Sequence, residues 1–172
     1  VAGAILGTDH LVGLGHRRIL YLDGGRAPGA AERLRGYRRA ARAAQVSELI
    51  RPGGLTEREG AVAAAAMLES KALPDAVFAF NDRCALGVMD VLIRSGISVP
   101  QQISVIGFDD SPLAGLAHIN LTTVRQDSVG LAGAAVQRLV ARLDGTIEGG
   151  EAVDIVREPT LVVRGSTAPP TS

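Results

Sequence analysis

The sequence has a single cysteine, Cys84, no tryptophan, and only 3% aromatic residues. One thiol cannot close an internal disulfide or supply a multi-cysteine zinc or iron–sulfur site, and this usage is compatible with a reducing cytoplasm. Net charge is also absent, since 18 basic side chains balance 18 acidic ones. The chain therefore offers no overall electrostatic footprint for a phosphate backbone or an anionic lipid surface, and DNA binding by these residues alone is not expected. Asp9, Gly13, Arg17 and similar residues interrupt every apolar stretch before it is long enough to span a bilayer. Residues 1–14 lack the basic region and uniform apolar block of a secretory signal. They read instead as the middle of an amphipathic helix, which suggests that further sequence precedes them.

Motifs for cofactor and metal chemistry are missing too. Gly24-Gly25 is not followed by the third glycine of a dinucleotide fingerprint, and there is no Gly-Lys-Ser of a Walker loop. His10, His16 and His118 lack the spacing of metal ligands, so structural or surface roles are expected for all three. Cys84 sits in the apolar helical pattern Ala85, Leu86, Val88, Met89, Val91 and Leu92, where an inert buried thiol is the default. No nucleophile–base pair can be assembled, and no cofactor, metal or catalytic residue is assigned.

What is present is ample apolar content, 47% over 172 residues, enough for one ordinary domain or unequal pieces of two lobes. Helical periodicity appears over residues 1–15, 30–45, 83–95 and 127–143, and from Thr56, whose spacing to Glu59 is that of a capping box, to about Lys71. Short apolar runs at 18–23, 75–80 and 104–108 read as buried strands, and 154–156 and 160–163 as closing strand material. Strands that alternate with helices imply an α/β fold with a parallel sheet covered on both faces. No tandem repeat or low-complexity linker divides the chain. The segment 168–172, Ala-Pro-Pro-Thr-Ser, reads as a terminal tail.

In such a sheet, ligands gather beyond the carboxyl ends of the strands. The run from Val99 to Asp110 ends in Gly107-Phe108-Asp109-Asp110, the second strand ends in Asn81-Asp82, and Arg33 opens a helix. Arg33, Asn81 and Asp109 would converge on one edge as a donor fork, an amide and a bidentate acceptor, a set suited to adjacent sugar hydroxyls or a purine edge. Taken singly, each has a plainer reading: a solvated helix arginine, a helix cap and a turn residue. Adjacent strand residues point to opposite faces, so Asp109 and Asp110 are not expected to share a proton. The arginine-rich helix from Arg33 to Arg42 reads as a solvated face.

Taken in order, Gly15-His-Arg-Arg-Ile19, Arg33-Leu-Arg-Gly-Tyr37, Phe80-Asn-Asp-Arg-Cys-Ala-Leu-Gly87, the run from Val99 to Asp110, Leu121-Thr-Thr-Val-Arg-Gln126 and Leu161-Val-Val-Arg-Gly-Ser166 resemble the effector-binding domain of lactose/galactose-type bacterial repressors. The resemblance covers nearly the whole chain. It implies a type I periplasmic-binding-protein-like fold, with doubly wound parallel sheets in two lobes. Residues 1–23 and 125–152 would be the remnant of an incomplete amino-terminal lobe, and 24–124 with 153–167 the carboxyl-terminal lobe. Arg33, Asn81 and Asp109 fall on the family's effector contacts. Leu55 stands where many members place a stacking aromatic, Ser128 where some place a phenylalanine, and Ile119-Asn120 where a proline-containing stretch is usual.

The resemblance further implies a small-molecule effector of the sugar class. It implies operator DNA bound through an amino-terminal helix-turn-helix outside this chain, a cytoplasmic homodimer, and a ligand-biased equilibrium between two lobe arrangements. A soluble sugar-binding component of an import system shares this fold and is the competing reading. An enzyme on the same architecture is the third.

Overall fold

The computed structural model describes residues 1–70, 72–146 and 154–171. Five helices and six strands follow in the order α1 (Ala2–Gly13), β1 (Ile19–Asp23), α2 (Ala30–Ala43), β2 (Leu49–Pro52), α3 (Glu57–Leu68), β3 (Ala76–Ala79), α4 (Asp82–Arg94), β4 (Ser104–Asp109), a 3-10 turn at Pro112–Gly115, β5 (Thr122–Arg125), α5 (Ser128–Leu143) and β6 (Thr160–Val162). The strands form one sheet in the order β2-β1-β3-β4-β5-β6, parallel throughout except for the antiparallel β6.

Successive strand residues face opposite sides of the sheet, and each side has its own apolar layer. Leu20, Leu22, Val77, Ala79 and Val105 pack with Ala64 and Met67 of α3 and with Cys84, Ala85, Val88 and Leu92 of α4. Tyr21, Phe78, Ile106 and Phe108 pack with Ala4 and Leu11 of α1 and with Tyr37 and Ala41 of α2. Helix contacts are close where glycine permits. A Cβ at Gly3 or Gly7 of α1 would press on the rings of Phe108 and Phe78, and one at Gly87 of α4 would collide with the backbone of α3. The capping box at Thr56 forms as its spacing indicates, with Thr56 Oγ1 accepting from Glu59 N and the Glu59 carboxylate accepting from Thr56 N.

Several expectations are corrected. Residues 1–23 do not form part of a separate lobe: β1 is hydrogen-bonded between β2 and β3, and α1 packs on α2 and on strands of the same sheet. The apolar stripe of α1 is spent on Phe78, Phe108 and Val124 of this sheet. Residues 154–156 are not strand, whereas 49–52 and 122–125 are. The tail is fastened along residues 168–171. Ala168 N donates to Ser104 Oγ at 3.1 Å, Ala168 O accepts from the buried His16 ring at 2.9 Å, and Thr171 Oγ1 donates to Gln101 O at 3.0 Å. The boundary drawn at 152–153 lies outside the described residues.

Helix α5 buries none of its residues, although its hydrophobic stripe is clear in the sequence. Val129 is 84% and Leu143 78% exposed, with Val136 and Leu139 also open. No helix among the described residues is long and apolar enough to cross a membrane.

Candidate functional site

The carboxyl ends of β1, β3 and β4 lie side by side, and the chain after each of them is polar. At the end of β4, Asp109 and Asp110 have φ values of 112° and 54°. Two successive positive φ values break the strand abruptly, a conformation that aspartate tolerates better than most residues because its short side chain can bond locally. The turn separates the two carboxylates, and each acquires its own cationic partners.

Asp109 Oδ1 accepts from Arg33 Nη2 at 3.1 Å and from Gln126 Nε2 at 2.6 Å. Arg33, in the first turn of α2, is held on three further sides. Its guanidinium lies 3.8 Å from the Phe108 ring centroid and 4.4 Å from that of Phe80, and Nη1 donates to Phe80 O at 2.5 Å. Stacking between two aromatic faces fixes a planar cation that would otherwise sweep many rotamers. Burial at the strand ends pushes the Asp109 carboxyl up, against the pull of Arg33 and Gln126. Since that side chain is still 41% exposed and ion-paired, we assign it the charged form at neutral pH. Among the described residues, Asp109 Oδ2 has no partner in the chain, which leaves an acceptor aimed outward.

Asp110 has a different task. Burial opposes its ionisation, but hydrogen bonds from Arg164 at 2.7 Å and Arg125 at 2.6 Å outweigh that effect and hold its carboxyl below the usual range. It thereby ties the β4 turn to β5 and to the segment after β6. Asp82, the first residue of α4, is buried beneath both turns. Its Oδ1 accepts from Thr123 Oγ1 at 2.5 Å and its Oδ2 from Ser111 N at 2.6 Å. Burial pushes its pKa up, against these two hydrogen bonds. Gly107 lies directly under this carboxylate, and a Cβ there would collide with Asp82 Oδ1.

The structure brings together Arg33 and Asp109, with Asn81 just past the end of β3, the strand between β1 and β4. Asn81 also caps α4: Oδ1 accepts from Cys84 N at 2.8 Å and Nδ2 donates to Leu55 O at 3.0 Å. One amide hydrogen and one lone pair remain for a ligand. Leu55 follows the Gly53-Gly54 turn and is 39% exposed at the rim. Ser128 lies at the exposed start of α5, where its N–H donates to Gln126 O. Neither side chain joins the Arg33–Asp109 pair. Gln126 does, and sequence reasoning missed it. No local signal points to it, because its reach to Asp109 follows from the β4–β5 register that pairs Arg125 with Asp109. Among the described residues there is no cluster of three or more histidine, cysteine or acidic side chains able to hold a metal.

This arrangement can bind neutral polar groups through a fixed carboxylate oxygen and a partly used amide. Comparison with known proteins agrees with a binding domain. Residues 8–167 match the family described as periplasmic binding protein-like domain. The transcriptional regulator CelR of Thermobifida fusca is 36% identical over 96% of this chain and 49% of its own length. A LacI transcriptional regulator from Rhodococcus superposes with a TM-score of 0.90 at 46% identity, over 98% of this chain and 62% of that one. A LacI family regulator from Enterococcus faecium, solved with bound ribose, gives 0.87 at 27% identity over 97% of this chain and 62% of that one. The chain spans about half the length of the curated relatives it matches. On sequence, topology and the whole-chain superposition, this chain belongs to the periplasmic-binding-protein-like effector domains of the lactose/galactose repressor (LacI) family.

Proposed function

We propose that the strand-end cluster is one wall of an effector site, and that the whole protein is a transcription regulator in which a small polyhydroxylated ligand controls operator binding. The observation that carries this reading is the outward oxygen of Asp109, whose partner oxygen is fixed by Arg33 and Gln126. A carboxylate oxygen so held accepts a ligand hydroxyl without having to be ordered first. The remaining amide hydrogen of Asn81 reaches the same edge. Ribose in the E. faecium neighbour supports the sugar class, and the regulator relatives favour this reading over an import component or an enzyme.

In this proposal the second wall and the helix-turn-helix belong to the rest of the protein, which acts as a cytoplasmic homodimer on a near-palindromic site. The effector binds one lobe arrangement more tightly than the other and shifts the population toward it. The test uses the whole regulator. A thermal-shift screen of sugars finds a ligand, and calorimetry compares the parent with Asp109→Ala. Loss of a hydrogen bond to a charged group costs about 1.5–3 kcal/mol, a drop of roughly 10- to 150-fold in affinity. Unchanged affinity in the variant removes Asp109 from the site and with it this reading.

A further inference from the structure

The sheet is not fully covered on its α3 side. Helix α3 has the sequence Glu-Arg-Glu-Gly-Ala-Val-Ala-Ala-Ala-Ala-Met-Leu, so most side chains it can set against the sheet are a single methyl long. It packs closely on α4 and stands off the β1–β2 edge. A cavity of about 1110 Å³ opens between α3 and that edge, slightly above the usual range of about 300–1,000 Å³ for small-molecule pockets. Its walls are Leu20 and Leu49 from the strands and Val62 and Met67 from α3.

Arginines outnumber acids around this trough. Arg51 lies two residues beyond Leu49 on β2, so it faces the trough as Leu49 does. Arg58 stands in the first turn of α3, and Arg18 and Arg26 border the opening. Among the described residues none of these four arginines has a carboxylate partner. Two acids also line the trough. The Glu59 carboxylate is taken by Leu55 N, Thr56 N and Thr56 Oγ1. Asp23 lines the opening at the end of β1, beside Gly24 and Arg26, so four arginines face two acids, one of which is already taken. The trough is also distinct from the Arg33–Asp109 cluster. Phe80 seated on Gly24, and the Asn81 amide bonded to Leu55 O, stand between the two.

We propose that this trough is a second ligand site, and that it takes an amphipathic carboxylate, a medium-chain fatty acid. Its alkyl chain lies along Leu20, Leu49, Val62 and Met67, and its carboxylate pairs with Arg51 and Arg58. An apolar trough of this length rewards each added methylene by about fourfold in affinity, the equivalent of its transfer from water. A guanidinium fork is the preferred partner of a carboxylate. A neutral alkane or alcohol would leave that pairing unused, and an alkyl ammonium would meet an excess of like charge, four arginines against two acids. The site does not depend on the sugar reading of the strand-end cluster.

The probe is dodecanoate, titrated calorimetrically into this chain below its micellar concentration, with octanoate, dodecanol and dodecyltrimethylammonium alongside. Sedimentation is run on the same samples. The expected result is saturable 1:1 binding of dodecanoate, at least tenfold tighter than octanoate and dodecanol and with no binding of the ammonium. Arg51→Glu with Arg58→Glu, two exposed positions, lowers dodecanoate affinity at least tenfold, and Ala63→Phe fills the trough and abolishes it. Non-saturable uptake, equal affinity for dodecanol, or indifference to both the arginine and the Ala63 variants overturns the proposal. A parent dimer that Ala63→Phe makes monomeric also overturns it, since a second copy would then occupy the trough.

Discussion

Asp82 is the residue whose removal the structure makes easiest to cost. It is 1% exposed and accepts two hydrogen bonds, from Thr123 Oγ1 and Ser111 N. Asp82→Ala leaves both donors without their acceptor, Thr123 Oγ1 in a buried position and Ser111 N in a half-buried one. Each orphaned donor costs about 1–3 kcal/mol. Relief from burying a carboxylate, which pushes its pKa up, returns part of that. A net loss of about 3 kcal/mol follows, and at about 2–4 °C per kcal/mol for a chain of this size the melting temperature falls by roughly 6–12 °C. Asp82→Asn keeps one acceptor but turns an amide group toward the other donor, so it loses about half as much. Denaturant melts give the comparison, with an unchanged slope showing that the unfolding reaction is the same. An alanine variant that melts within about 2 °C of the parent would refute the reasoning, because it would mean that Thr123 and Ser111 find other partners at no cost.

Further outcomes can be checked in the same preparations. Cys84, with its thiol pushed up to about 12 by burial and donating to Gly53 O at 3.3 Å, labels slowly at pH 8 when folded and quickly in denaturant; fast native labelling contradicts its burial. Thr56→Ala removes one half of the α3 capping box and costs about 1 kcal/mol in a chemical melt; a neutral result would show that the box is not formed. The folded-state pKa of Asp110 lies below its ordinary value of 3.8, so its contribution is present above about pH 4 and is lost as pH falls through the folded value. Asp110→Asn is therefore less stable than the parent at pH 7, and the difference closes on acidification below about pH 4; a gap independent of pH would assign it to packing. Gly87→Val drives a side chain into the backbone of α3 and costs at least about 2–3 kcal/mol, and a parent-like melt would show that α3 and α4 are less closely packed than described.

Local patterns carried much of the fold. The capping box at Thr56, the glycine after the last turn of several helices, and the short apolar runs of β1, β3 and β4 are all visible along the chain. The strand at Leu49–Pro52 was invisible because it is four residues long, includes Arg51 and Pro52, and owes its state to pairing with β1 rather than to any alternation of its own. The place of residues 1–23 in this sheet is not legible in the sequence, because motif order along a chain says nothing about which layer a helix covers. The glycines that let α1 sit on Phe78 and Phe108 act only once those rings are in place. At the site, the strand-end rule was enough to single out Asp109 and Asn81. It could not tell that Arg33 would be stacked between two rings, since Phe80 and Phe108 are 28 residues apart. Gln126 was passed over because its partner is set by the β4–β5 register, a relation between distant segments.

The pairing of β5 with β6 has a consequence for how such a domain is inherited. Arg125 stands opposite Thr160 in an antiparallel ladder, so the chain leaves the sheet and re-enters it at the same spot. The described residues between them, 126–146 and 154–159, lie outside the sheet and are, in topological terms, a parenthesis. A two-residue turn such as Asn-Gly joins strands so placed, and replacing the parenthesis with one would leave the strand order and both apolar layers as they are, at the expense of Gln126. A segment opened and closed on neighbouring rungs can be lengthened, exchanged or lost by recombination without refolding what lies beneath. The sheet and α5 can therefore diverge at separate rates, with only the ladder between Arg125 and Thr160 obliged to stay in step.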